Sequence, residues 1–147
     1  MGKTDNVEQM VLTIPSDLKY LGAVDAAIQD LAREFSFSPD AINDVSTALI
    51  EACSNAIEHG NRFDPTKRVM VTLRFNGSSF SAVVKDEGTG FDFATALDEN
   101  APPDPMSERG RGLMIMKAFT DKLNFRYADG GLYVELAKNR GDDGPGE

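Results

Sequence analysis

Glu51 and Asn55 stand four residues apart in the run Glu51-Ala-Cys-Ser-Asn55-Ala-Ile-Glu58-His59-Gly60. On a helix that spacing stacks both side chains on one face, so a carboxylate and an amide oxygen point at the same small volume. A carboxylate can take or orient a proton, and an amide oxygen is a hard ligand of the kind magnesium accepts. Two glycine-rich turns follow, Asp86-Glu-Gly88-Thr-Gly90-Phe91 and Arg109-Gly110-Arg111-Gly112-Leu113. A carboxylate held at a strand end, as Asp86 is expected to be, can accept an exocyclic amino hydrogen of adenine, while Gly88 and Gly90 permit the close backbone approach a flat base needs. Gly110-Arg111-Gly112 is expected to open a helix, where exposed amides and the helix dipole suit phosphate and Arg109 or Arg111 adds charge. Each signal has a plain structural alternative, respectively a solvated helix face, an ordinary turn and a helix start. Their order along one chain, each on the element its chemistry needs, points to a site for ATP with magnesium.

The elements that must position these residues are legible from periodicity. Met10–Ile14 is a short apolar run stopped by Pro15 and reads as a strand; Ser16 can cap a helix in which Leu21, Val24, Ile28, Leu31 and Phe35 recur at helical spacing. Ser38-Pro39-Asp40 opens the next helix with a cap residue, a first-turn proline and an acid favoured by the dipole. Val45, Ala48, Leu49, Ala52, Cys53, Ala56 and Ile57 form its apolar face, and Gly60 can end it in a left-handed conformation. The opposite stripe, Thr47, Glu51, Ser54, Asn55 and Glu58, has no Lys or Arg between Ser38 and Asn61 to pair with its acids.

From Val69 the period becomes two. Val69, Val71, Leu73 and Phe75 alternate with polar residues, Asn76-Gly77 supplies a hairpin turn, and Phe80, Ala82 and Val84 alternate on the return. The stretch 91–108 contains Pro102, Pro103 and Pro105 and no sustained period, and reads as a long mobile loop with at most a short helix near Phe93–Leu97. A helix over about Leu113–Lys122 follows, then a second hairpin in which Leu123, Phe125 and Tyr127 alternate into Asp129-Gly130-Gly131 and Leu132, Val134 and Leu136 alternate out. Three helices and four or five strands in this order predict an α/β two-layer sandwich, with a mixed, mostly antiparallel sheet covered on one face by helices. The domain is expected over residues 10–138, with a flexible N-terminus over 1–9 and a disordered tail over 139–147.

Composition narrows the class. The 147 residues carry 24 Asp and Glu against 15 Lys and Arg, a formal net charge of -9, which argues against a partner nucleic acid held through its phosphates. A single cysteine, Cys53, excludes an internal disulfide, and its place on an apolar helical face marks it as core. No secretory signal and no run long enough for a membrane span is present, so a cytoplasmic protein without membrane contact is expected. The only histidine, His59, reads as a helix-end residue near the C-terminal dipole.

The three motifs resemble the nucleotide-binding boxes of the GHKL ATP-binding superfamily of gyrases, histidine kinases and related chaperones. The pattern Glu-Ala-X-X-Asn-Ala-X-X-His-Gly is matched at Glu51, Ala52, Asn55, Ala56, His59 and Gly60. The compact chain is similar, from Val11 to Leu136, to the bacterial anti-sigma-factor serine/threonine kinases, whose whole chain is one such domain. That resemblance implies that Glu51 is the catalytic carboxylate, Asn55 the magnesium ligand, Asp86 the adenine anchor, and Gly88, Gly90, Gly110 and Gly112 the glycines of the nucleotide loops. It also places Arg109 at the γ-phosphate, with Arg111 a further contact. The activity it implies is transfer of the ATP γ-phosphate to a serine or threonine of an anti-sigma-factor antagonist, together with binding and inhibition of a sigma factor.

Homodimers are common in the group, and the edge at Val11–Ile14 offers a pairing strand. Related switch kinases act on other partner-switching pathways. Two other classes share parts of the pattern. The ATP-binding domain of a histidine kinase would act on a separate dimerisation helix, which is not expected before Met10. A module that binds nucleotide only to order its lid would have no use for a carboxylate such as Glu51.

Overall fold

Pro39 begins the helix that organises the molecule. The Ser38 hydroxyl accepts the Ala41 N–H at 3.1 Å and the proline needs no donor of its own in the first turn, so both cap signals act as the sequence predicts. The computed structural model describes residues 7–88 and 108–140, excepting the side chains of residues 108–111. Gly90, the expected loop with its short helix near Phe93–Leu97, and residues 141–147 of the expected tail lie outside the described residues.

The strands are β1 (Glu8–Pro15), β2 (Arg68–Phe75), β3 (Ser79–Lys85), β4 (Lys122–Ala128) and β5 (Gly131–Asn139), and the helices are α1 (Leu21–Glu34), α2 (Pro39–Asn55) and α3 (Glu108–Ala118). They form a five-stranded sheet in the order β1-β2-β3-β5-β4. The sheet is antiparallel at every described pairing: β2–β3 and β4–β5 are hairpins, β1 reverses into β2 across α1 and α2, and β3 and β4 run the same way with β5 antiparallel between them.

One face of the sheet is apolar. Val69, Val71, Leu73 and Phe75 of β2, Phe80, Ala82 and Val84 of β3, and Leu132, Val134 and Leu136 of β5 are buried, while their strand neighbours on the other face are half-buried or exposed. That is the period of two expected of a sheet covered on one side. The helices supply Val24, Ile28 and Leu31 of α1, Val45, Leu49 and Cys53 of α2, and Leu113 and Met116 of α3 to the same core. Each large side chain removed from water here is worth about 1.5–3 kcal/mol. Phe75 anchors one end, with ring centroids of Phe80, Phe37 and Phe35 at 4.5, 5.2 and 5.9 Å.

Several local details depart from the pattern reading. Ser16 does not cap α1; its hydroxyl donates to the Lys67 carbonyl at 2.7 Å, and Asp17 caps a short 3-10 turn (Leu18–Tyr20) instead. α3 starts at Glu108 and ends at Ala118, because tertiary packing of Leu113 and Met116 outweighs the cost of about 1 kcal/mol that each helical glycine carries. In the first hairpin Asn76 acts through its side chain, whose Oδ1 accepts the N–H groups of Ser78 and Ser79, both at 2.8 Å, with no left-handed backbone at Asn76 or Gly77. The second hairpin has the left-handed pair, Asp129 at φ 54° and Gly130 at φ 76°.

Cys53 lies fully inside this core, and burial pushes its thiol up to about 12. A neutral thiol out of reach of solvent is unreactive. Native protein at neutral pH is therefore expected to resist an aromatic disulfide reagent on the timescale of mixing, with labelling as slow as global unfolding; a stoichiometric burst in the absence of denaturant would contradict this packing.

Candidate active site

The C-terminal half of α2 divides the polar stripe of the sequence into two sets. Thr47 is exposed, and Ser54 donates to Glu58 at 2.9 Å, one helical turn on. Glu51 and Asn55 form the other set. Asn55 is 5% exposed, and its amide Nδ2 is buried without a hydrogen-bond partner among the described residues. A buried N–H donor without an acceptor is costly unless something external accepts from it. Glu51 is half-buried one turn earlier.

Gly112 of α3 closes over this pair. A Cβ built there would stand 2.8 Å from Glu51 Oε1 and 3.2 and 3.5 Å from the two terminal atoms of Asn55. The structure thus brings three of the sequence-predicted residues to one point, and the absence of a side chain at Gly112 is what leaves room for them. Arg109, Gly110 and Arg111 fall in the first turn of α3, whose N–H groups lack intrahelical partners. The side chains of Arg109 and Arg111 lie outside the described residues. Among those residues no cluster of three or more His, Cys, Asp or Glu side chains gathers to hold a metal. The oxygen donors that do meet are those of Glu51 and Asn55.

Beyond Asn55, α2 widens into a π-helical turn (Ala56–Gly60). Such turns recur at functional sites because they re-aim the residues that follow. Gly60 does not take the left-handed conformation expected of it. Its role is contact: a Cβ at Gly60 would fall 2.0 Å from Asp86 Oδ2, and one at Gly88 would fall 2.0 Å from the Gly60 carbonyl oxygen. The end of the helix thus packs against the Asp86 carboxylate through Gly60 and against the backbone of Gly88.

Asp86 follows β3 directly and is 2% exposed. Its Oδ1 accepts two backbone N–H groups, from Gly88 at 2.9 Å and from Leu132 at 3.0 Å, and its own N–H donates to the Leu132 carbonyl at 3.1 Å. Oδ2 is the oxygen turned toward Gly60. Burial pushes the carboxyl up from the ordinary aspartate value, against the lowering effect of the two N–H groups and of Lys85 and Lys67. One oxygen of this carboxylate is thus fixed by two backbone donors, and the other keeps its capacity to accept.

The sequence reading missed the contribution of β5 to the surroundings of Asp86. Gly131 approaches so closely that a Cβ there would lie 1.7 Å from the Asp86 carbonyl oxygen, and Leu132 contributes the N–H that fixes the carboxylate. No local signal distinguishes this Gly131 from an ordinary turn glycine; only the β3–β5 pairing, with Lys85 opposite Tyr133, brings it to Asp86.

An antiparallel sheet with helices on one face, carrying a strand-end carboxylate beside an acid-and-amide helix, defines an ATP-binding α/β sandwich. The family model described as the histidine kinase-like ATPase domain matches residues 14–138, and the chain belongs to that family. Among curated relatives, the serine-protein kinase RsbW of Bacillus licheniformis is 30% identical over 141 residues, covering 88% of this chain and 87% of the relative. The protein of the same name from Bacillus subtilis is 26% identical over 132 residues, covering 86% and 82%. A crystal structure of the RsbU and RsbW domains of a Mycobacterium tuberculosis protein superposes with a TM-score of 0.66 at 20% identity, over 89% of this chain and 32% of that one, a likeness of fold.

Proposed function

We propose that this protein is a serine/threonine kinase that transfers the γ-phosphate of magnesium-bound ATP to a hydroxyl of a small partner protein, the antagonist of an anti-sigma factor. The observation that carries this reading is the meeting of Glu51 and Asn55 beneath Gly112, with Asn55 buried and its Nδ2 donor unpaired among the described residues. Asn55 would hold magnesium through its amide oxygen, with phosphate oxygens and water completing the shell. Asp86 would hold the adenine amino group, while Gly88, Gly90, Gly110 and Gly112 leave backbone room along the nucleotide. Arg109 and Arg111, in or beside the first turn of α3, would meet the phosphates. The bound nucleotide supplies an activated phosphoryl group whose transfer depends mainly on position and electrostatics. Glu51 would orient the incoming hydroxyl and accept its proton.

The relatives named serine-protein kinase support the acceptor class. By the same likeness we infer that the protein binds and inhibits a sigma factor, that it can pair as a homodimer through β1, and that it works in the cytoplasm. Among the described residues no helix is long and apolar enough to cross a membrane. The net charge of -9 fits protein partners better than nucleic acid.

A pull-down in the presence of ADP should recover the antagonist, and incubation of that antagonist with labelled ATP and magnesium should place acid-stable phosphate on one of its serines or threonines, with little label on this chain. Acid-labile, base-stable label would support histidine transfer instead. Tight ATP binding with no transfer to any copurified protein would support a nucleotide-dependent binding module.

A further inference from the structure

Asn61, immediately after Gly60, is 1% exposed and makes three side-chain hydrogen bonds. Its Nδ2 donates to Ser16 Oγ at 2.9 Å and to the Arg68 carbonyl at 3.0 Å, and its Oδ1 accepts the Glu87 N–H at 2.7 Å. The three partners sit just after β1, at the start of β2 and just after β3. Glu87 closes the ring from the other side, its Oε2 accepting the Arg68 N–H at 2.6 Å.

The placement matters because both ends of the Asn61–Glu87 bond adjoin candidate-site residues. Gly60, which faces Asp86 Oδ2, precedes Asn61; Asp86 itself precedes Glu87. Gly60 meets the Asp86 carboxylate and the Gly88 backbone by packing alone, and such contact resists compression but does little against separation. The Oδ1···H–N bond supplies the tether. A buried amide with its donors and an acceptor oxygen all engaged holds a single rotamer, so the tether is rigid.

We propose that Asn61 is a positioning residue for nucleotide binding: through its bond to the Glu87 N–H it sets the place of the Asp86 carboxylate relative to the end of α2, and so the distance between the base-reading and phosphate-binding halves of the site. The proposal rests on the nucleotide reading above. It separates from a purely structural role because Asn61 has two functions that different substitutions divide. Asn61→Ala removes all three bonds. Asn61→Asp loses amide donors but keeps an oxygen that accepts the Glu87 N–H in either protonation state.

Calorimetric titration with Mg-ATP and Mg-GTP, alongside melting temperatures and amide exchange at Glu87, tests this. Both variants should melt lower than the parent. Asn61→Ala should bind Mg-ATP about tenfold more weakly, with the preference over Mg-GTP reduced by a similar factor and Glu87 exchange accelerated. Asn61→Asp should stay within about threefold of the parent and keep Glu87 protected, and Ser16→Ala should lower the melting temperature with ATP affinity unchanged. Should Asn61→Ala not fold, Asn61→Leu removes the same acceptor while filling the space. Equal ATP affinity in the parent and in Asn61→Ala or Asn61→Leu, or an equal loss in Asn61→Asp, overturns the proposal while the nucleotide reading stands. A parent that binds no Mg-ATP overturns both.

Discussion

Glu51→Ala is expected to bind Mg-ATP with close to parental affinity and to phosphorylate the antagonist about two to four decades more slowly, the share usually carried by a positioned base or orienting group. The geometry separates it from its neighbour. Both side chains end beneath Gly112, but Asn55 is the more deeply buried and would bring its amide oxygen to the metal and its unpaired Nδ2 to a phosphate oxygen, so Asn55 is the residue whose loss should be felt in the ground-state complex. Asn55→Ala is therefore expected to lose the magnesium-dependent part of ATP affinity, and its transfer defect should follow that lost binding. Single-turnover kinetics with saturating nucleotide, beside calorimetry with and without magnesium, resolves the two effects. Parental transfer by Glu51→Ala would show that another group prepares the hydroxyl.

Asp86→Asn is expected to weaken ATP binding by about 2 kcal/mol, roughly thirtyfold, because it places an amide N–H where an acceptor should meet the adenine amino group. Oδ1 already accepts from Gly88 and Leu132, so the new donor falls at the Oδ2 position facing Gly60. The same logic gives a pH dependence. Protonation of the parent also falls on Oδ2, the oxygen without those two N–H partners. Since burial raises this carboxyl, parental ATP affinity should begin to fall at a higher pH than an ordinary aspartate would give as the solution is acidified.

Stability moves the opposite way. With the folded value raised above the unfolded one of about 3.9, the native state holds more protons across that window, so this group's contribution to stability declines as pH rises through it. Asp86→Asn lacks that decline. Its melting temperature relative to the parent should improve over the same window in which parental ATP affinity recovers. Calorimetry and thermal melts on both proteins across that pH range check the two trends together, and equal parental affinity for ATP and GTP would remove the adenine assignment.

What the chain determined on its own were features whose cause is local. Ser38-Pro39-Asp40 starts α2 because the hydroxyl, the missing donor and the acid each suit a first helical turn. The alternation through Val69–Phe75 and Phe80–Val84 commits one face to the core, and a one-residue slip would turn every one of those side chains to water. Four-residue spacing alone places Glu51 and Asn55 on one face of α2. These follow from near neighbours, and near neighbours are all that a pattern contains.

The site needed contacts between residues far apart in the chain. Ser16 looks like a helix cap, yet it donates across 51 positions to the Lys67 carbonyl, because packing β1 against β2 brings that acceptor within reach. Gly60 looks like a helix terminator, yet its missing Cβ admits the Asp86 carboxylate. Leu132 and Gly131 look like the start of a strand, yet the β3–β5 pairing makes one the donor that locks Asp86 and the other the backbone pressed against it. In each case the residue type is compatible with an ordinary local role, so no local rule is violated. Only tertiary packing decides which of two permitted roles the residue fills, because the second partner is supplied by a distant segment.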